Sequence, residues 1–128
     1  MIKSNLTLLD WLNASLPPAV WALFIYTLSA RSSLPSPDNW QLDFLFKKAS
    51  HMFVYAVLYL LIWRGTHILV GARQKKALLI VPFVIACLYA ITDEFHQGFV
   101  PGRQPTIRDL GFDILGISTS FLWWYRYI

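Results

Sequence analysis

The sequence predicts an all-α membrane protein: a four-helix bundle with a re-entrant or interfacial connection between spans 3 and 4. Three observations carry this expectation. Of 128 residues, 56% are apolar and only 14% are charged, against ~45–50% and ~25% in soluble domains. Mean hydropathy is +0.48. Four apolar runs are separated by short polar or proline-containing stretches. Four spans of ~20 residues use ~80 positions, so residues 1–128 read as a single domain. The composition excludes a disordered chain, which needs low hydrophobicity and high charge. A soluble helical bundle needs charged outer faces, and the first and third runs carry none.

Residues 1–13 are mixed, and Leu6, Leu8, Leu9, Trp11 and Leu12 suggest an interfacial lead-in. Lys3 precedes no uninterrupted apolar core with a cleavage site, so no removed signal peptide is expected. Span 1 is placed at about 16–31, with Pro17-Pro18 at its start, where missing N–H groups cost little. Pro35 and Pro37 then force an extended or turn conformation. Span 2 is placed at about 48–70 and is followed by the tight basic connection GARQKK at 71–76. Span 3, about 77–93, contains Pro82, an expected kink. A polar connection leads to span 4, about 109–125, where Gly116 and Ser120 form a small-xxx-small pair for close helix approach. Trp123, Trp124, Tyr125, Arg126 and Tyr127 then suit a headgroup-level anchor.

The net charge is +4, but the eleven Lys and Arg are scattered with no basic stripe, so no nucleic-acid partner is expected. Basic character fits the positive-inside bias of an inner (plasma) membrane protein. With the N-terminus inside, inner segments hold six Lys and Arg and outer segments five. The densest cluster is GARQKK, a short loop where the bias acts most strongly. Both termini are therefore expected in the cytoplasm. The single cysteine, Cys87, excludes an intrachain disulfide and any CxxC motif.

An even number of spans puts the 1–2 and 3–4 connections on the same membrane face. The start of span 2, the end of span 3 and the start of span 4 therefore meet, and the unusual polar residues sit there. Lys47, His51 and Tyr55 are spaced i, i+4, i+8 on one helix face. Asp93, His96 and Gln97 are spaced i, i+3, i+4, with Glu94 on an adjacent face. Asp109, Asp113 and Gly116 form a third stripe. Each ionisable group inside a span costs ~2.5–3.5 kcal/mol on insertion scales, so these groups should face protein or water. A purely structural role would pair Asp109 or Asp113 with Arg103, Arg108 or Lys47. Arg103 is the expected partner of Asp109 or Asp113, and His51 that of Asp93 or Glu94.

Three functions fit these residues. In the first, Lys47, Arg103 and Arg108 hold the phosphate of a lipid or lipid-linked headgroup, and Tyr55, His96, Gln97, Asp109 and Asp113 complete the binding set. In the second, His51 or His96 acts as acid or base on such a headgroup, and Asp93, Glu94 or Asp109 orients it, with His51, Asp93 and Glu94 as the catalytic set. In the third, a small transporter working as a dimer, the homo-oligomer considered for this chain, uses Asp113 and Glu94 as coupling carboxylates, although the polar groups gather at one end and not at the midplane. No cofactor is expected. The same histidines and carboxylates are the candidates for a divalent metal, but no HExxH or equivalent spacing is present.

The run from Tyr89 to Arg103, YAITDEFHQGFVPGR, resembles the signature of the VanZ-like family, roughly YxxxDExxQxFxPGR. Lys47, His51 and Tyr55 resemble its KxxxHxxxY element, and Ser32-Ser33-Leu34-Pro35 its serine–proline segment. Asp109, Asp113 and Gly116 are similar to its Asp, Asn and Gly positions, with Asp113 standing where the family has Asn. The resemblance implies a small bacterial integral membrane protein of the cell envelope. The family's namesake lowers susceptibility to teicoplanin, so an effect on glycopeptide susceptibility is implied with it.

Overall fold

The computed structural model describes residues 2–3, 5–32 and 37–126. The serine–proline positions 33–36 and the anchor residue Tyr127 lie outside the described residues. Four helices follow one another: α1 (Leu8–Ser29), α2 (Trp40–Val70), α3 (Lys75–Gln97) and α4 (Ile107–Tyr125). Among the described residues there is no strand. α1, α2 and α3 are each long and apolar enough to cross a membrane. α4 has 19 residues, and Arg108, Asp109 and Asp113 lie in its first two turns. Asp113 is buried and Asp109 is paired with a lysine, so the charge on α4 is turned largely inward.

α2 is the central helix, with α1, α3 and α4 all packed on it. The core is Ile25, Tyr55, Leu58, Tyr59, Ala86, Ala90 and Ile117. The outer face of α3 carries exposed Ile80, Val84, Leu88 and Ile91 at helical spacing. That is the face a bilayer covers and water does not.

The helices are longer than hydropathy alone places them. α1 begins at Leu8 because Thr7 and Asp10 form a capping box, with the Asp10 N–H donating to Thr7 Oγ1 at 3.2 Å and the Thr7 N–H to Asp10 Oδ2 at 2.9 Å. The expected lead-in is therefore the first turns of α1, and Pro17-Pro18 lie inside the helix instead of at its start. α2 begins at Trp40, capped by Asn39 Oδ1, which accepts from the N–H groups of Gln41 and Leu42. Its 31 residues are about 46 Å long, beyond the ~30 Å of a hydrocarbon core. α3 passes unbroken through the buried Pro82 and ends at Gln97.

The two prolines inside α1 free the carbonyls of Asn13 and Ala14, which lose their i+4 donors. A helix in lipid has no water to offer in exchange. α2 gives the first a donor and packs closely on the second, with adjacent residues. Arg64 Nη1 donates to Asn13 O at 3.0 Å, and its Nη2 donates to Asn13 Oδ1 at 2.8 Å. At Gly65 an added Cβ would lie 2.3 Å from Ala14 O, so only glycine lets α2 approach that carbonyl.

The 3–4 connection folds back in successive turns. Gly98, Phe99 and Val100 donate their N–H groups to the carbonyls of Phe95, His96 and Gln97. Val100 to Arg103 then closes a β-turn, with the Arg103 N–H 3.1 Å from Val100 O and Gly102 at φ +81°. Pro101-Gly102 are the central residues of this turn, as a Pro-Gly pair in the sequence predicts. The alternation of Phe95, Phe99 and Val100 with polar residues predicts a segment folded back over the bundle mouth, but Phe95 and Phe99 are not covered by the bundle. They are 71% and 72% exposed and pack edge-on against each other at 5.1 Å. An outward aromatic pair of this kind suits the headgroup region.

If Arg64 serves the proline-freed carbonyl, the two sites are coupled. Arg64→Ala should cost about 1 kcal/mol or more, and clearly less in a Pro17→Ala background, where residue 17 again donates to Asn13 O. Equilibrium unfolding in mixed micelles measures both. Equal penalties in the two backgrounds would contradict the pairing.

Candidate functional site

Four carboxylates, Asp93 and Glu94 from α3 and Asp109 and Asp113 from α4, reach the same end of the bundle as the first turns of α2 and the last turn of α1. Each finds a different partner. The facing stripes of α2 and α4 supply two of the pairs. Asp113, 1% exposed, accepts at Oδ1 from His51 Nδ1 at 2.8 Å. One turn earlier, Asp109 is bonded to the Lys48 ammonium. These pairs require close helices, and Gly116 provides them. A Cβ there would lie 2.1 Å from Met52 O, and one turn on, Ser120 Oγ donates to Ala56 O at 3.3 Å. The small-xxx-small stripe of α4 thus rests on the α2 backbone beside His51.

Asp93 is the centre of a second group. Its Oδ2 accepts from Ser29 Oγ at 2.8 Å, from Tyr55 Oη at 2.9 Å and from Gln97 Nε2 at 3.3 Å. Its Oδ1 is buried, with no hydrogen-bond donor among the described residues. Glu94 has a different task. Its Oε1 accepts from the backbone N–H of Thr106, the N-cap residue of α4, and Thr106 Oγ1 accepts from the Asp109 N–H at 3.1 Å. Glu94 thereby fixes the start of the helix that delivers Asp109 and Asp113.

Several expected pairings are corrected. His51 meets Asp113, not Asp93 or Glu94. Arg103 meets neither Asp109 nor Asp113. Its Nε donates to Arg31 O at 2.8 Å and its Nη2 to Leu28 O at 3.2 Å. The physical reason is that α2 already supplies Lys48 and His51 to the α4 carboxylates, while the end of α1 offers carbonyls that no helical N–H reaches. Lys47 is exposed and bonded to Asp43 at 2.8 Å, one turn back on its own helix, and its neighbour Lys48 takes the inward position. His96 does not join Asp93 and Gln97. Its ring packs 4.6 Å from that of Tyr26 on α1. Arg108 is exposed, with its guanidinium 5.3 Å from the Phe44 ring centroid. The polar residues form separate hydrogen-bonded groups at one end of the bundle.

Lys48 and Ser29 belong to the site although sequence reasoning passed over them. Lys48 is spaced i−3 from His51 and i−7 from Tyr55, so it shares their face as well as Lys47 does. Ser29 carries no such signal, because α1 offers no other polar residue in register with it.

These groups surround a cavity of about 360 Å³, open toward the 1–2 and 3–4 connections. His51, Tyr55, Asp93, Gln97, Arg103 and Asp109 line it, with Lys47 at the mouth and Lys48 in the wall. Asp113 stands behind His51, and Glu94, His96 and Arg108 do not line the cavity. Among the described residues, no three His, Cys, Asp or Glu side chains are grouped to hold a metal ion.

The two adjacent lysines should separate cleanly. Lys48→Met strands Asp109 and should cost about 3 kcal/mol. Lys47→Met removes only an exposed i,i+4 pair and should cost under ~0.5 kcal/mol. Urea unfolding in micelles reads both, and equal costs would reverse the assignment.

The VanZ/LLP1 family model matches residues 2–127, and the chain belongs to that family. No curated protein and no solved structure matches the chain. With its family and its spanning helices, the protein is a multi-pass inner-membrane protein of the cell envelope.

Proposed function

We propose that this VanZ/LLP1-family protein binds the headgroup of a membrane lipid or lipid-linked molecule in the cavity at the α3–α4 end of the bundle. The mixed lining of the cavity carries this reading. Ile25, Leu28, Phe46 and Val54 contribute apolar surface, and Lys48, His51, Asp93 and Arg103 contribute polar groups. A ligand matching both is amphipathic. A small hydrophilic solute would leave the apolar surface unmatched. A volume of about 360 Å³ suits a headgroup, and the chains of such a ligand would lie outside, in the bilayer. An effect on glycopeptide susceptibility follows in this reading where the headgroup is that of a lipid-linked wall precursor.

The same reading places the cavity on the outer face and both termini in the cytoplasm. Its support is the basic 71–76 connection at the opposite end of the bundle. The N-terminal residues lie beside that connection, with the Lys3 N–H donating to Leu69 O at 2.9 Å.

A second reading is acid–base chemistry on the bound headgroup, and one observation favours it. His51 lines the cavity, its Nδ1 is held by the buried Asp113, and its Nε2 has no partner among the described residues. A carboxylate on Nδ1 fixes the tautomer whose Nε2 can accept a proton. Asp113, not Asp93 or Glu94, would then be the positioning residue, and His51 the catalytic one.

Two measurements test these readings. In native mass spectrometry, delipidated protein titrated with phospholipid should retain one lipid. Ser50→Trp, which fills the cavity mouth, should abolish that adduct. Retention unchanged by Ser50→Trp would move binding elsewhere on the surface. His51→Gln should keep the adduct, and should lose any conversion of the lipid that the parent protein performs over the same incubation. For orientation, Gln74→Cys in a Cys87→Ser background should resist an impermeant maleimide in intact cells and react after lysis. Labelling before lysis would invert the assignment.

A further inference from the structure

Four seams between helices surround the cavity: α1–α3, α3–α4, α2–α4 and α1–α2. Three of them are tied at its level. Across α1–α3, Tyr89 Oη donates to Ala22 O at 2.6 Å, Ser29 Oγ donates to Asp93 Oδ2 at 2.8 Å, and the Tyr26 and His96 rings pack at 4.6 Å. Across α3–α4, Glu94 accepts from the Thr106 N–H. Across α2–α4, Lys48 holds Asp109 and His51 holds Asp113. The α1–α2 seam differs. The Trp21 indole N–H donates to Val54 O at 2.8 Å. From there toward the connections, the seam is lined by Ile25 and Leu28 of α1 and by Phe46, Ser50 and Val54 of α2. Among the described residues, no hydrogen bond or ring contact joins these five across the seam. Ser50 Oγ turns back to donate to Phe46 O on its own helix, so it offers the seam no unmet donor.

We infer that the α1–α2 seam is a lateral portal, through which an intact long-chain lipid enters the cavity from the bilayer and in which one of its chains rests. The inference rests on the headgroup reading above, and adds the route of entry and the part of the ligand that the seam holds.

Depth supports a portal into hydrocarbon. Lys47 and Arg64 are both exposed on α2 and lie about 26 Å apart along its axis, close to the ~30 Å of a hydrocarbon core. The cavity runs along α2 from Phe46 to Tyr55, about 14 Å, or half that depth. Its untied side therefore faces the chains of one leaflet. Exposure agrees. Phe46 lines the cavity and is still 54% exposed. Phe53, at helical spacing from Phe46 and Ser50, is exposed, and so is Phe24, whose ring packs 5.1 Å from Trp21 at the floor of the seam. Apolar side chains left open at this depth are covered by lipid.

The alternatives cost more. Entry through another seam has to part a buried carboxylate from its donor or its cation. A chain led out through the 1–2 and 3–4 connections has to cross the headgroup region, exposing methylenes to water. Through the α1–α2 seam, the headgroup reaches Lys48, His51 and Arg103 while the chain stays in an apolar channel.

Photocrosslinking of the parent protein tests the portal. Delipidated protein in micelles is given one equivalent of phosphatidylethanolamine or phosphatidylglycerol with a diazirine close to the carboxyl end of one chain. After irradiation, the adducts are mapped by peptide sequencing. Most should fall on Ile25, Leu28, Phe46, Ser50 and Val54, and excess unlabelled lipid should remove them. The deacylated headgroups, glycerophosphoethanolamine and glycerophosphoglycerol, should displace the lipid at least about tenfold more weakly than the intact lipid does. Displaceable adducts on the outer faces of α3 or α4, at Leu88, Ile91 or Leu115, would overturn the portal. So would adducts that no excess lipid removes, or headgroups that compete as well as whole lipid. In each of these cases Ser50→Trp-sensitive retention of a lipid leaves the headgroup reading standing. Loss of that retention removes both.

Discussion

A carboxylate at membrane depth is stable only beside a donor, and this chain brings four of them to one end of its bundle. That constraint orders the rest of the structure. Asp113 needs His51, and the 2.8 Å contact between them exists because Gly116 lets α4 lie on the α2 backbone at Met52. Asp109 needs Lys48 one turn away, which fixes the relative rotation of the same two helices. Asp93 needs Tyr55 and Ser29, which draws α2 and the end of α1 onto α3. Breaking any one of these leaves a desolvated charge, a larger loss than removal of an exposed pair. The polar end is therefore a packing device before it is a ligand site.

The same accounting governs the backbone. Two consecutive prolines in a spanning helix leave two carbonyls without donors, and lipid supplies none. Arg64 donates to one of them from the neighbouring helix, and Gly65, by offering no side chain, lets that helix lie close against the other. At the other end of α1, Arg103 performs the equivalent service for the carbonyls of Leu28 and Arg31. Arginine suits both tasks because its donors lie in a fixed plane, so one side chain can meet two acceptors and keep further N–H groups in reserve.

The sequence made the helix count and the convergence of the polar residues legible, because both depend on periodicity and on the parity of spans. It did not make the helix ends legible. Thr7 and Asn39 cap helices that begin outside the apolar runs, and hydropathy is blind to a polar first turn. It did not decide between Lys47 and Lys48 either. Both lie within one helical step of the His51 face, and only the position of α4 selects the inward one. The partner of Arg103 was misread because a carboxylate looked like the obvious acceptor. The open carbonyls at the end of α1 have no signature in the side-chain alphabet. Ser29 was missed for a related reason: a lone serine at a helix end is as often a stop signal as a ligand to a carboxylate.

Arg103 also shows why structural and functional roles need not compete at this site. A guanidinium offers two usable edges, and only one of them straps the 3–4 connection to α1. A clamp of this kind holds the guanidinium at the cavity with little freedom left to lose. His51 follows the same logic: Nδ1 is fixed by Asp113, and among the described residues Nε2 is uncommitted. Two side chains of the cavity wall thus spend part of their hydrogen-bonding capacity on the fold and keep part of it for whatever enters.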